Sequence, residues 1–169
     1  MIKTFQKPRR LISLLLLLLA GIFLTSCSSS TSNTTPQTIA QEILQSASFS
    51  KMVEVTPDQL DTHLSIAPSA LEDYCFYISS TEGNSDEIGI FRAVDETSVV
   101  DLKDAVSEHL MQLETRFSGL DQTESDKISK CIFTDYQQWV FLVISSNPTQ
   151  AGEILKHYFP NITLKGSLG

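Results

Sequence analysis

The chain has 169 residues, with 20 acidic and 12 basic side chains and a net charge of −8. That balance argues against nucleic acid, whose phosphates demand a basic face. It also argues against a polybasic surface for anionic lipid.

The first residues have the three-part layout of a secretory signal. Lys3, Lys7, Arg9 and Arg10 make a positive start, and Leu11 to Leu24 follows without a charge. At ~1.5 Å per residue this run reaches ~21 Å, short of the ~30 Å hydrocarbon core that a permanent span must cross. A cleaved export segment fits better. Leu24-Thr25-Ser26-Cys27 then resembles the lipobox of bacterial lipoproteins: an aliphatic residue, two small ones, and cysteine. The resemblance implies cleavage between Ser26 and Cys27, and diacylglyceryl modification of the Cys27 thiol. Two acyl chains bury enough methylenes, at ~0.8 kcal/mol each, to hold a soluble domain on a membrane. The Ser/Thr-rich stretch that follows has nothing to bury and reads as a tether. The expected organisation is a signal peptide over 1–26, a flexible tether over 27–35, and one domain over 36–169. Removal of 1–26 takes away four basic residues and no acidic one, leaving a net charge of −12.

Thr35-Pro36, Thr56-Pro57 and Asn147-Pro148 each pair a capping residue with proline, a helix-start signature. Gln59 and Gln150 stand where a capping box wants Glu or Gln. The first helix presents Ile39, Ala40, Ile43, Leu44 and Ala47 on one face, and the second runs from Pro57 to about Leu64. Tyr74–Ile78 and Ile88–Phe91 read as a hairpin across a Gly/Asn/Ser/Asp turn. A long helix opens at Ser98 and carries Leu102, Val106, Leu110, Leu113 and Phe117, an amphipathic stripe stopped by Gly119. A short helical connector follows near Thr123 to Lys130. Cys131–Thr134 and Trp139–Ile144 form a second hairpin across Asp135-Tyr136-Gln137-Gln138. The last helix runs from Pro148 to Phe159, ahead of Pro160. Trp139–Ile144 is apolar on both faces, as a central, doubly covered strand is.

The order ββα-ββα predicts an α+β, two-layer domain with a four-stranded antiparallel sheet. Helices of both units cover one face, and the N-terminal helices or a partner shield the other. Cys75 and Cys131 each lie in an apolar strand-like run, as small buried hydrophobes do. An exported address also permits a disulfide between them.

With these residues in hand, the chain resembles a bacterial lipoprotein family known only as domain of unknown function 4358. The segment Asn84-Ser85-Asp86-Glu87-Ile88-Gly89-Ile90-Phe91-Arg92 is similar to that family's small-Asp-Glu-aliphatic-small-aliphatic-Phe-basic stretch. Leu102-Lys103-Asp104-Ala105-Val106 through Phe117 looks like its central helix, and Trp139-Val140-Phe141-Leu142 like its final strand. Gln137-Gln138-Trp139 stands where a Gly-x-Tyr turn is expected, and Leu120 where a Tyr often follows the central helix. The family has no assigned activity, so the resemblance implies architecture and address and leaves mechanism open.

No local motif proposes catalysis. His63, His109 and His157 lack ligand spacing, and there is no Gly-x-Ser-x-Gly elbow, phosphate-cradling loop or calcium loop. Catalytic, cofactor and metal residues are therefore assigned to none. Asp86 and Glu87 are the most noticeable polar pair. They read either as a lip for a cation or a basic partner residue, or as a turn cap (Asp86) and a water-facing strand start (Glu87). The structural option is favoured, since adjacent strand residues point to opposite faces. Trp139, Tyr136, Tyr74 and Tyr77 read either as core, the favoured option, or as an exposed protein-binding patch. Tyr136, in the turn, is the one most expected at the surface and a candidate interaction residue beside Asp86 and Glu87. The sequons Asn33-Thr34-Thr35 and Asn161-Ile162-Thr163 read as coincidental in a bacterial lipoprotein. The expected function is a non-enzymatic, lipid-anchored module at the extracytoplasmic face, with the membrane at Cys27 and an envelope or membrane protein as partners. A small-ligand or cation-binding lipoprotein is the alternative, and an envelope hydrolase a distant third.

Overall fold

A computed structural model describes residues 34–164. The signal segment, Cys27 and nearly all of the tether lie outside the described residues. The described elements, in chain order, are α1 (Pro36–Ser46), β1 (Met52–Glu54), α2 (Pro57–Leu64), β2 (Leu71–Ser79), β3 (Glu87–Ala93), α3 (Glu96–Phe117), α4 (Gln122–Ser129), β4 (Ile132–Tyr136), β5 (Trp139–Ile144) and α5 (Pro148–Tyr158). A single 3-10 turn, Pro68–Ala70, precedes β2.

Local chemistry accounts for most of the boundaries. Thr35 accepts a hydrogen bond from the Thr38 amide and starts α1, and the Gln59 side chain reaches back to the Thr56 amide at 3.2 Å to close the box on α2. The long helix begins two residues earlier than the Ser98 start expected from its sequence. Asp95 is its cap, with its carboxylate taking the Ser98 amide at 2.8 Å.

The strands form one antiparallel sheet in the order β1-β2-β3-β5-β4. The expectation of four strands misses β1, whose three residues are too few to show an alternating pattern. Both expected hairpins are present, and β3 and β5 pair at the centre from Glu87↔Ile144 to Arg92↔Trp139. β5 is buried along its whole length, as a central strand covered on both faces must be.

The two-layer expectation also needs correction, because the helices of the two ββα units lie on opposite faces. Alternation along the strands sorts the core into two clusters. Phe76, Phe91, Val140, Leu142 and Ile144 face α2, α3 and α4. Cys75, Ile88, Ile90, Phe141 and Val143 face α1 and α5. The 22-residue α3 occupies the first face with its two short neighbours. The second apolar face is left to the first and last described helices, and α1 packs directly on α5.

This division also rules out the disulfide between Cys75 and Cys131, since the two side chains belong to different clusters with the sheet between them. Burial first, and the charge of Glu54 next, push the Cys75 thiol up to about 12, so it stays protonated and unreactive.

Candidate functional site

The segment that carries the family resemblance, Ser85-Asp86-Glu87-Ile88-Gly89-Ile90-Phe91, runs from the loop after β2 into the central strand β3. Its polar residues are buried, Ser85 at 2%, Asp86 at 4% and Glu87 at 6% exposure. Uncompensated charge in that setting is expensive, so each must meet a partner.

Asp86 is held from two sides. Its Oδ1 accepts from Lys127 Nζ on α4 at 2.7 Å, and its Oδ2 from the Ser50 amide, ahead of β1, at 2.8 Å. Lys127 also reaches Glu124 on its own helix at 2.6 Å. The same Glu124 oxygen accepts from the Ser85 amide and hydroxyl at 2.7 and 2.8 Å. Ser50 Oγ extends the set, donating to Asn84 Oδ1 at 2.9 Å, which also takes the Asp86 amide. Burial alone would push the Lys127 ammonium down, but hydrogen bonds and charge from Asp86 and Glu124 outweigh it and hold it above the usual lysine value. The cluster joins three stretches far apart in the chain: residue 50, residues 84–86, and α4.

Glu87 points to the α3 face, on the same side as Gly89 and Phe91. Its Oε2 lies 2.7 Å from His109 Nε2 on α3. His109 is itself buried and set edge-on to Phe76, with ring centroids 6.4 Å apart. Glu87 therefore does not face water, and Asp86 does more than cap a turn. Both expectations fail for one reason: the partners stand 22 and 41 residues away, on helices.

The rest of the motif is steric. A Cβ on Gly89 would collide with the Phe91 ring, which folds back over it. Phe91 in turn meets Phe76 at 5.7 Å between centroids. The order Asp-Glu-x-Gly-x-Phe thus reads as an anchor for α4, an anchor for α3, and space for a core ring.

The other candidates are dispersed. Tyr136 is half-buried against Phe159 at 5.7 Å between centroids, inside the α1/α5 cluster instead of standing clear in the turn. Trp139 is buried beneath Arg92, whose guanidinium carbon lies 5.7 Å from the indole centroid. Among the described residues, no three His, Cys, Asp or Glu side chains are grouped to hold a metal ion. An open recess of about 550 Å³ lies beside the β4–β5 turn, lined by Glu96, Val99, Asp135, Gln137 and Gln138. Asp135 there is already engaged by Lys103 at 2.7 Å.

Lys127 and Glu124 escaped the sequence reading, because charges on a short polar helix normally face water. A signal existed: Glu124, Lys127 and Ile128 fall at i, i+3 and i+4 and form the buried face of α4.

A family model described as Domain of unknown function (DUF4358) matches residues 45–145, the greater part of the chain. The match contains the whole cluster from Ser50 to Lys127, and ends before α5. No curated protein and no solved structure matches.

Proposed function

We propose that this chain, which belongs to the family described as Domain of unknown function (DUF4358), is a lipid-anchored lipoprotein working at the extracytoplasmic face as a non-enzymatic protein-interaction module. The observation that carries this reading is the order of basic start, uncharged apolar run, Leu24-Thr25-Ser26-Cys27 and Ser/Thr-rich tether. That order brings acyl chains to Cys27 and leaves the domain outside the membrane.

The buried cluster supports the same reading from inside the domain. Asp86, Glu124 and Lys127 are turned toward one another, as separately are Glu87 and His109, and both sets tie helices to the sheet. No described helix is long and apolar enough to cross a membrane.

Intact-mass measurement of the protein extracted from membranes tests the address. The expected species begins at Cys27 and carries the added mass of the acyl groups, and the Cys27→Ala variant loses them. An unmodified, full-length chain recovered from cytosol would overturn the proposal.

The recess beside the β4–β5 turn favours a second reading, a small polar ligand held by Glu96, Gln137 and Gln138. Titration of the protein with sugars and polyamines, followed by amide shifts at those residues, separates this reading from the first.

A further inference from the structure

Helix α3 has an outward side that its own domain leaves uncovered. Five large apolar side chains among the described residues are well exposed, and four belong to α3 or the residues bracketing it: Val94 at 44%, Val100 at 58%, Met111 at 51% and Leu120 at 82%. Val100 and Met111 share one side of the helix, three turns apart. A second open recess, of about 370 Å³, lies at this helix and is lined by Glu108, Met111, Gln112 and Thr115.

The charge on this face has one sign. Asp101, Asp104, Glu108 and Glu114 are exposed on α3, and no described cation forms an ion pair with any of them. The two basic residues of α3 are already engaged. Lys103 is paired with Asp135, and Arg116 lies over the Phe117 ring at 5.4 Å. A second copy of this chain would bring the same acidic face and be repelled, and so would an anionic lipid surface. Exposed apolar groups between unpaired carboxylates suit one kind of occupant, a helix with an apolar stripe flanked by lysine or arginine.

We propose that the outward face of α3 is where a cationic amphipathic helix of a partner protein docks, with Val100 and Met111 as its apolar anchors and Asp104 and Glu108 setting charge and register. The proposal rests on the reading of the chain as an interaction module, and names the surface and partner chemistry that reading leaves open.

The test uses full-length lipidated protein in zwitterionic nanodiscs, with empty discs as blank, and a Lys/Leu peptide of about 18 residues with helical periodicity as the probe. Asp104→Lys with Glu108→Lys is expected to weaken binding about tenfold or more, and Val100→Ser with Met111→Ser, which leaves the charge alone, about threefold or more. Glu54→Lys with Glu82→Lys, away from α3, should stay within about twofold. Circular dichroism confirms that each variant is folded. If the control reversal weakens binding as much as the α3 reversal, or if neither α3 pair changes it, the proposal is wrong. A photocrosslinking residue placed at Val100, Met111 or Val53 in cells separates the two levels. Adducts at Val53 alone overturn the α3 surface and leave the interaction module standing. No adduct at any site above a Cys27→Ala background overturns the module itself.

Discussion

The two faces of the sheet are built differently, although each buries a comparable apolar layer. On the α1/α5 side the contacts are aliphatic and aromatic, with Phe159 meeting Phe141 and Trp139 at 5.1 and 5.3 Å between ring centroids. Such packing is strong and non-directional, and it tolerates small shifts of one helix over the sheet. On the α3/α4 side an apolar layer of similar kind ends in buried ions that accept one geometry only. Asp86 must meet both Lys127 and the Ser50 amide, and Glu87 must meet His109. The family match covers the ion-bearing side and stops short of α5. The contrast teaches a division of labour: apolar burial drives the fold, and the buried ions decide how α3 and α4 sit on it.

If that division is right, the two sides must fail differently. Lys127→Met removes the one ammonium shared by Asp86 and Glu124 and should destabilise by about 3–5 kcal/mol in urea unfolding at neutral pH. Phe141→Ala, on the other face, should lose a similar amount, about 3–5 kcal/mol, through lost burial and a cavity. Acid distinguishes them. Without Lys127, two buried carboxylates of like charge remain, and protonating one relieves both burial and repulsion. The Lys127→Met deficit should therefore shrink as the medium is made acidic, while the Phe141→Ala deficit holds constant. Equal pH profiles would break the comparison. In the intact protein the sign runs the other way. The Lys127 pKa is raised in the fold, so its contribution is fully present below the ordinary lysine value of 10.5 and is lost as pH climbs through the raised one.

Gly89→Ala tests the steric half of the motif. The added methyl would drive into the ring of Phe91, which is itself fully buried. A loss of about 1–3 kcal/mol is expected, again read by urea unfolding. Gly89→Ala combined with Phe91→Leu should lose less than the sum of the two single changes, because the shorter side chain vacates the clash. Additive losses would mean that Gly89 serves the backbone and not the ring.

Much of this architecture was legible in the sequence because it rests on local signals. The Thr-Pro pairs start α1 and α2, the Leu102-to-Phe117 stripe marks α3, and unbroken apolarity marks β5 as central. The site was legible only as a noticeable pair, Asp86-Glu87. What completes it is long-range: His109 stands 22 residues from Glu87, and Lys127 stands 41 residues from Asp86. Neither the side of the sheet a helix chooses nor the partner of a buried ion leaves a mark within a window of a dozen residues. The layer count failed for the same reason.

A change that touches neither face calibrates the others. Gln137 opens the two-residue turn between β4 and β5 and holds a left-handed φ of +55°, where a side chain is crowded against its own backbone. It stands where a Gly-x-Tyr turn is expected from the family resemblance, and the backbone supplies the reason for glycine there. Gln137→Gly should stabilise by about 0.5–1 kcal/mol, relief of the left-handed strain being partly offset by the greater freedom of glycine in the unfolded chain. The gain should be independent of pH and additive with both Lys127→Met and Phe141→Ala, since the turn shares no partner with either. A gain that depends on which face is damaged would show that the hairpin tip couples the two layers, and the separation drawn between them would then need revision.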